Sequence, residues 1–227
     1  ISISGFYTNY FYILLFIAQG TYLAFAKRFR LRFKEIICLL LILVSFLPYL
    51  PLFLKKFYFI YQGFWVPKPT WHSLRITLEN FLLGYNGSAS LYIISDILAV
   101  IFIIFAVWSG FKNRALRQSL IFCAVLFFIP LSCAFFFSKI FFSIYLDRGL
   151  MIFNPYYFLI LSLGIVYLNR ILKAVFFGAL ISVMLISDYR YFNDLMFKPL
   201  SHHLGTYIKK PIKPTVKFLL ANVDLKD

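Results

Sequence analysis

Apolar residues fill most of this chain in six long runs, and polar connections separate the runs. They cover residues 5–26, 35–54, 90–110, 120–140, 150–168 and 174–192. A run of about 20 apolar residues is long enough to cross a bilayer as a helix. The pattern predicts an all-α, polytopic transmembrane bundle of about six spans. It also predicts a long outer loop at 55–89 and an extracytoplasmic tail at 193–227.

Composition excludes a soluble domain with a large apolar core. The chain is 62% hydrophobic and 14% charged, with a mean hydropathy of +0.85, whereas soluble domains carry about 25% charged residues. A secretory signal peptide would place one short apolar core before a polar chain, and that pattern is absent. Because the chain starts at Ile1 almost inside a span, and ends soon after a short helix predicted from Pro214, we expect missing sequence at both ends.

Basic residues predict the orientation of the bundle. Short cytoplasmic loops carry an excess of Lys and Arg. The connections after the first, third and fifth runs are very short and hold ten basic residues: Lys27, Arg28, Arg30, Arg32, Lys34, Lys112, Arg114, Arg117, Arg170 and Lys173. The alternate connections are longer and hold six: Lys55, Lys56, Lys68, Arg75, Lys139 and Arg148. Both termini and the 55–89 loop are therefore predicted to be extracytoplasmic.

The net charge of +15 fits basic loops that meet anionic lipid headgroups. No basic stripe with interleaved aromatic residues indicates a nucleic-acid partner. Cys38, Cys123 and Cys133 all fall inside predicted spans, without disulfide or zinc spacing. The His202–His203 pair is a weak metal signal, because adjacent side chains diverge in direction and no third ligand is spaced to join them. No metal site is predicted in this chain.

The 55–89 loop contains one predicted helix. Thr70 can cap its start and Gly84 can end it, and we expect it to lie on the outer membrane surface. One face is largely apolar: Trp71, Leu74, Leu78, Phe81, Leu82 and Tyr85. A polar strip beside it holds His72, Arg75 and Glu79, and a solvated face is favoured over a binding site for this strip.

Polar residues inside the runs gather near their predicted outer ends. Ionisable groups within spans are costly, and a functional role is the default interpretation. We predict an outward-facing polar cavity lined by Asn9, Asp96 and Asn154. Two structural alternatives stay open. Arg148, beside Asp147, reaches the headgroups like other long basic side chains, and Asp96 pairs with a neighbouring helix for stability alone.

Several short stretches together resemble the bacterial GT-C membrane glycosyltransferases, closest to the RgtA/B/C/D-like, protein-mannosyltransferase-related group. The resemblance covers nearly the whole chain and depends on the order and spacing of its parts. They are YTNYF at 7–11 leading to AQG at 18–20, FLPYLP at 46–51, FWVPKPT at 64–70, and DRG at 147–149 ahead of NPY at 154–156. Arg148 matches the family's arginine, but Gly149 stands where the family tends to have Tyr.

The resemblance implies an enzyme of the bacterial inner membrane. Such enzymes move a sugar from a polyprenyl-phosphate donor to a glycan, lipid or protein acceptor at the outer face. The family's acidic base, or metal partner, lies in a first outer loop that would precede Ile1. No catalytic residue is therefore assigned here, we expect the fragment alone to be inactive, and a divalent metal stays an open question for the full-length parent.

The resemblance assigns Arg148 to the donor phosphate, and three further side chains are expected to contact the phosphate or sugar: Lys68, His72 and Arg75. Arg suits this role because its fork can hold two phosphate oxygens. Two other functions stay open, a transporter or lipid flippase module and a non-enzymatic assembly subunit. Transporters often carry inverted repeats and mid-membrane polar sites, neither of which is visible in this sequence.

Overall fold

The computed structural model describes most of the chain before the tail. The described residues are 5, 7, 9–26, 33–62, 66–85, 87–166 and 168–193. Several sequence-based expectations lie outside them: Thr8, the basic residues of 27–32, Phe64, Trp65, and the tail from residue 194 onward.

The described part of the chain is all-α, as predicted, and contains no strand. Its α-helices are α1 (Tyr12–Ala26), α2 (Phe33–Phe46), α3 (Leu50–Tyr61), α4 (Trp71–Leu83), α5 (Ala89–Lys112), α6 (Arg114–Ile140), α7 (Asp147–Leu150), α8 (Asn154–Ile165) and α9 (Arg170–Phe192). Single 3₁₀ turns join α2 to α3 at Leu47–Tyr49 and α7 to α8 at Met151–Phe153.

Five helical segments of the described chain are long and apolar enough to cross a membrane, which supports an integral membrane protein. They are Phe33–Phe59, Ala89–Lys112, Arg114–Ile140, Asp147–Ile165 and Arg170–Arg190. Helix α1 has 15 residues, fewer than the roughly 20 that a full crossing needs. The second run continues past its predicted end at 54, because Pro48 lies in the first turn of a new helical segment, where proline is tolerated.

The core of the bundle forms where α5, α6 and α8 meet. Gly164 of α8 lies against the backbone carbonyl of Phe102 in α5, so the two helices approach closely. Small residues allow such contacts between membrane helices. The rings of Phe127 and Tyr157 stack with centroids 5.2 Å apart and fix α6 against α8. This core supports the helix ends that carry the polar residues.

Helix α4 has the predicted bounds, with Thr70 as N-cap and Gly84 as C-cap at a positive φ of 64°. The predicted faces, however, are wrong in two respects. Trp71 is 64% exposed, whereas Glu79 is only 1% exposed. Helix α4 packs against α5 and α9, so its buried face is set by these neighbours and includes polar residues. The expected solvated strip of His72, Arg75 and Glu79 therefore holds only for the first two.

The helix ends fall into two groups. One end of the bundle, called here the polar end, contains α4, the 141–146 connection and the start of α7. The start of α5 and the end of α9 join it, since Ser187 donates a hydrogen bond to the Leu83 carbonyl. The opposite end holds Lys112, Arg114, Arg117, Arg170 and Lys173, at the other termini of the same helices. Among the described connections, the two classes predicted from the sequence thus lie at two different ends of the fold.

Candidate functional site

An ionic cluster links α4 to α5 at the polar end. The Arg75 guanidinium lies 2.8 Å from the Glu79 carboxylate and 2.9 Å from the Asp96 carboxylate. These carboxylates, Glu79 first, raise the pKa of Arg75. The Asp96 side chain is 30% exposed, whereas Glu79 is buried. The expectation that Asp96 pairs with a neighbouring helix is confirmed. Arg75 is ion-paired with two carboxylates of the chain itself.

A second polar cluster surrounds Asp147, which is fully buried. Its carboxylate accepts a hydrogen bond of 2.9 Å from the Asn80 side-chain amide. It accepts another of 2.8 Å from the backbone N–H of Arg148. Because Asn80 follows Glu79 directly on α4, the two clusters are adjacent. Buried carboxylates are costly unless donors satisfy them, and these contacts explain how Asp147 is tolerated.

Tyr85 directly follows Gly84, the C-cap of α4. Its hydroxyl oxygen is buried. Burial, followed by the nearby Asp147 charge, raises the pKa of Tyr85 well above its ordinary value. Tyr85 therefore keeps its hydroxyl hydrogen under all physiological conditions.

Further hydrogen bonds join α4 to α8 and to the 141–146 connection. The hydroxyls of Thr77 and Tyr145 are 2.8 Å apart in a buried contact, and burial raises the pKa of Tyr145. The Asn154 amide donates to the Phe81 carbonyl at 3.1 Å, while its own oxygen is buried without a hydrogen-bond partner. Asn154 thus belongs to the same polar end, as the sequence predicted.

Gly149 is required by the position of Phe11. A Cβ atom added to Gly149 would overlap the Phe11 ring. Phe11 is itself buried, so a side chain at position 149 and this ring compete for one space. The Phe11 ring thus occupies the space that a larger side chain at position 149 would need.

An apolar groove of about 980 Å³ lies beside this contact, between the start of α1, α3 and the end of α6. Phe11 lines it, so the groove and Gly149 meet on opposite sides of one ring. Its walls are almost entirely aliphatic and aromatic, including Phe53, Phe137 and Ile144, and Lys55 and Lys56 supply its charged groups. Volumes of this size are typical of small-molecule and cofactor sites.

The remaining predicted site residues have other surroundings. The Lys68 ammonium donates to the Lys139 carbonyl at 3.3 Å, and the Lys139 ammonium lies 5.3 Å from the centre of the Trp71 ring. His72 is exposed on the first turn of α4. Asn9 accepts a hydrogen bond from the Phe11 backbone N–H at 2.9 Å, which is a local cap. The structure does not join Asn9 to Asp96 or Asn154 through any described contact.

Arg148 differs from Arg75 in its surroundings. Its side chain is exposed, and no carboxylate of the described residues lies within ion-pair distance of its guanidinium. The adjacent carboxylate of Asp147 is held in place by the Asn80 amide. Arg148 is consequently available to an anion from outside the fold.

Sequence reasoning missed the residues that organise the site, namely Thr77, Asn80, Tyr85 and Asp147. One signal was present: Ser73, Thr77 and Asn80 recur at helical spacing, which places a narrow polar stripe on one face of α4. Within the described residues no group of three or more His, Cys, Asp or Glu side chains is arranged to hold a metal ion.

No family model matches the chain, and neither a curated protein nor a solved structure matches it.

Proposed function

We propose that this chain is the membrane part of a glycosyltransferase that takes its sugar from a polyprenyl-phosphate donor at the non-cytoplasmic face. One observation carries the proposal: Arg148, an exposed arginine that pairs with no carboxylate of the described residues, stands next to a large apolar groove. The link between them is short, because Gly149 contacts the Phe11 ring that lines the groove.

The two parts of this arrangement suit the two parts of such a donor. An isoprenoid chain is apolar, and the groove offers apolar walls from three helices. A phosphate needs charged donors, and the guanidinium of Arg148 offers a planar fork that matches phosphate oxygens. Lys55 and Lys56 at the groove add positive charge. The resemblance of the DRG stretch at 147–149 supports sugar transfer as the reaction that uses the lipid.

Arg75 and Asn9 are less suited to the donor than the sequence suggested. Arg75 is held by two carboxylates, and a phosphate would have to displace them. Asn9 is engaged in a cap. In this proposal Arg148 binds the donor phosphate, and Lys68 and His72 lie on the exposed surface where the acceptor or the sugar would approach.

The proposal is tested with the full-length protein in native membranes and radiolabelled polyprenyl-phosphate hexoses. We expect label to move from the lipid to an acceptor. Arg148→Ala should lower transfer about ten- to hundredfold, since hydrogen bonds to charged groups contribute about 1.5–3 kcal/mol. The matched control is Arg117→Ala, an exposed arginine at the opposite end of the bundle, which should leave transfer unchanged.

Two results would count against this function. Unchanged transfer in the Arg148→Ala variant would remove the proposed phosphate contact. Movement of the lipid between leaflets without release of its sugar would instead favour the transporter or flippase interpretation.

A further inference from the structure

The apolar groove opens sideways, at a depth that lies within the membrane. Its walls on α3 and α6 belong to the segments Phe33–Phe59 and Arg114–Ile140, which are long and apolar enough to cross a bilayer. Lining residues on all three helices are exposed, among them Ile17, Phe59 and Ile140. Because an opening at this depth meets lipid rather than water, an amphiphile can enter the groove without leaving the membrane.

Aromatic contacts hold α3 beside the bundle at both of its ends. The ring of Tyr49, just before α3, lies 5.5 Å from the ring of Tyr7, centroid to centroid. Phe57 and Tyr61, near the end of α3, contact the Phe142 ring at 4.9 and 5.6 Å. The groove lies along the stretch of α3 between these contacts, so it is a built feature of the fold.

Two charged residues line the groove, and both are lysines. Lys55 and Lys56 lie four and three residues before Phe59, about one helical turn from the end of the segment. Both are exposed, and no carboxylate of the described residues lies within ion-pair distance of either. Long basic side chains often reach the headgroups from such positions. Here they also give the groove a positive charge that favours an anionic head on the molecule that enters it.

Lysine and arginine suit different stages of phosphate binding. A lysine ammonium is a point charge on a flexible stem, whereas a guanidinium holds two oxygens in one fixed geometry. The lysine pair therefore suits first contact with a moving headgroup, and Arg148 suits the final position. The Phe11 ring stands between the two, because it lines the groove on one side and contacts Gly149, next to Arg148, on the other.

We propose that Lys55 and Lys56 capture the phosphate of the lipid donor as the donor enters the groove sideways from the bilayer, before the phosphate reaches Arg148. This inference rests on the proposed function, since the captured lipid is the donor that the function requires. The apolar walls accept the isoprenoid chain, and the two ammonium groups accept its phosphate.

The first test compares binding of farnesyl phosphate and of farnesol, its uncharged alcohol, to the whole chain in nanodiscs of zwitterionic lipid. The double variant Lys55→Gln with Lys56→Gln should bind farnesyl phosphate roughly three- to tenfold more weakly, since each exposed ion pair contributes modestly. Its affinity for farnesol should be unchanged. Lys112→Gln with Lys173→Gln removes the same charge at the opposite end of the bundle and should bind both ligands like the wild type.

A second variant tests the groove itself. Ile17→Trp adds a large ring to the α1 wall and should weaken binding of both ligands. Ile104→Trp makes the same change at an exposed site on α5 outside the groove and should weaken neither.

Three results of these binding measurements would overturn the capture role. They are wild-type affinity for farnesyl phosphate in the double lysine variant, an equal loss of farnesol binding in that variant, and displacement of farnesyl phosphate by equimolar phosphatidylglycerol. The last result would identify the ligand as an ordinary anionic phospholipid.

Kinetics of the full-length protein separate this inference from the proposed function. The double lysine variant should raise KM for the lipid donor several-fold, whereas Arg148→Ala should mainly lower kcat. Sugar transfer with a wild-type KM in the lysine variant would overturn the capture role and leave the proposed function standing. Lysine-dependent binding of farnesyl phosphate without sugar transfer would keep the lipid site and reject the proposed function.

Discussion

At the scale of single residues, the contact between Phe11 and Gly149 connects the groove with the arginine beside it. Phe11 enters from the segment before α1, and Gly149 lies in α7, almost 140 positions later in the sequence. Because glycine has no Cβ, the ring can pack directly on the backbone. A larger residue at position 149 would force the Phe11 ring to move. The apolar groove that Phe11 lines is the space into which the ring would move.

We therefore expect Gly149→Ala to destabilise the fold by about 1–3 kcal/mol, the usual cost of overpacking. Unfolding in mixed micelles with rising sodium dodecyl sulfate would measure it. The control is Gly178→Ala in α9, where an added Cβ meets nothing within 4 Å and helix propensity alone favours alanine by up to about 1 kcal/mol. In a Phe11→Leu background the cost of Gly149→Ala should fall, and a cost unchanged by Phe11→Leu would refute the contact.

Arg75 shows how one side chain satisfies two carboxylates. Removing it would leave Glu79 buried without its closest cation, and a buried charged group that loses its partner is destabilising. We expect Arg75→Ala to lower the free energy of unfolding by about 2 kcal/mol. The additional change Glu79→Gln should recover most of that loss. Arg117→Ala, which breaks no described ion pair, should be nearly neutral in the same unfolding assay.

At the scale of elements, the fold depends on close approach between α5 and α8. Gly164 faces the Phe102 carbonyl, and a backbone atom cannot rotate away as a side chain can. Aromatic pairs then fix the neighbouring helices, with Phe176 of α9 against Phe102 at 5.7 Å and Tyr22 of α1 against Phe122 of α6 at 4.8 Å. The rigid core holds the helix ends that carry the site.

Gly164→Ala should consequently lower the free energy of unfolding by about 3 kcal/mol, the upper end of the overpacking range. It should therefore be more destabilising than Gly149→Ala. The two helices would have to separate to admit the methyl group. Gly20→Ala in α1, where nothing lies within 4 Å of the new Cβ, provides the matched control. Equal stability of Gly164→Ala and Gly20→Ala would show that α5 and α8 are not packed as closely as described.

At the scale of the whole molecule, charge is distributed by end. The polar end holds Lys68, Lys139 and Arg148 on its surface, whereas the opposite end holds the short basic connections around Arg114 and Arg170. Arg and Lys in short connections favour the cytoplasmic side. The proposed function requires the polar end to face away from the cytoplasm, where a lipid-linked sugar would be used.

Single-cysteine variants would test this orientation in intact cells, after Cys38, Cys123 and Cys133 are replaced by alanine. We expect Lys68→Cys and Arg148→Cys to react with a membrane-impermeant maleimide added outside. Arg114→Cys, at the opposite end, should react only after the membrane is made permeable. The reverse labelling pattern would place the polar end in the cytoplasm and contradict the proposed donor site.

The sequence indicated which parts of the chain would be helical, and where α4 would begin and end. Those features are local, because apolar run length, Thr70 and Gly84 act on neighbouring residues. It also led to the correct expectation that Asp96 has a partner on another helix, since an isolated charge in a span is costly. The prediction of which face of α4 is exposed was wrong for Trp71 and Glu79. The apolar periodicity of α4 did not show that α5 and α9 would pack against it.

By itself, then, the sequence determined a helical membrane bundle, its polar connections and an arginine at a helix start. Only the tertiary structure decided what surrounds that arginine. Thr77 and Tyr145 are 68 residues apart in sequence, and Asn80 and Asp147 are 67 apart. Hydrophobic length selects helices one at a time, whereas such contacts depend on how packed helices are rotated against each other. That rotation is set by close contacts such as Gly164 on Phe102 and Gly149 on Phe11.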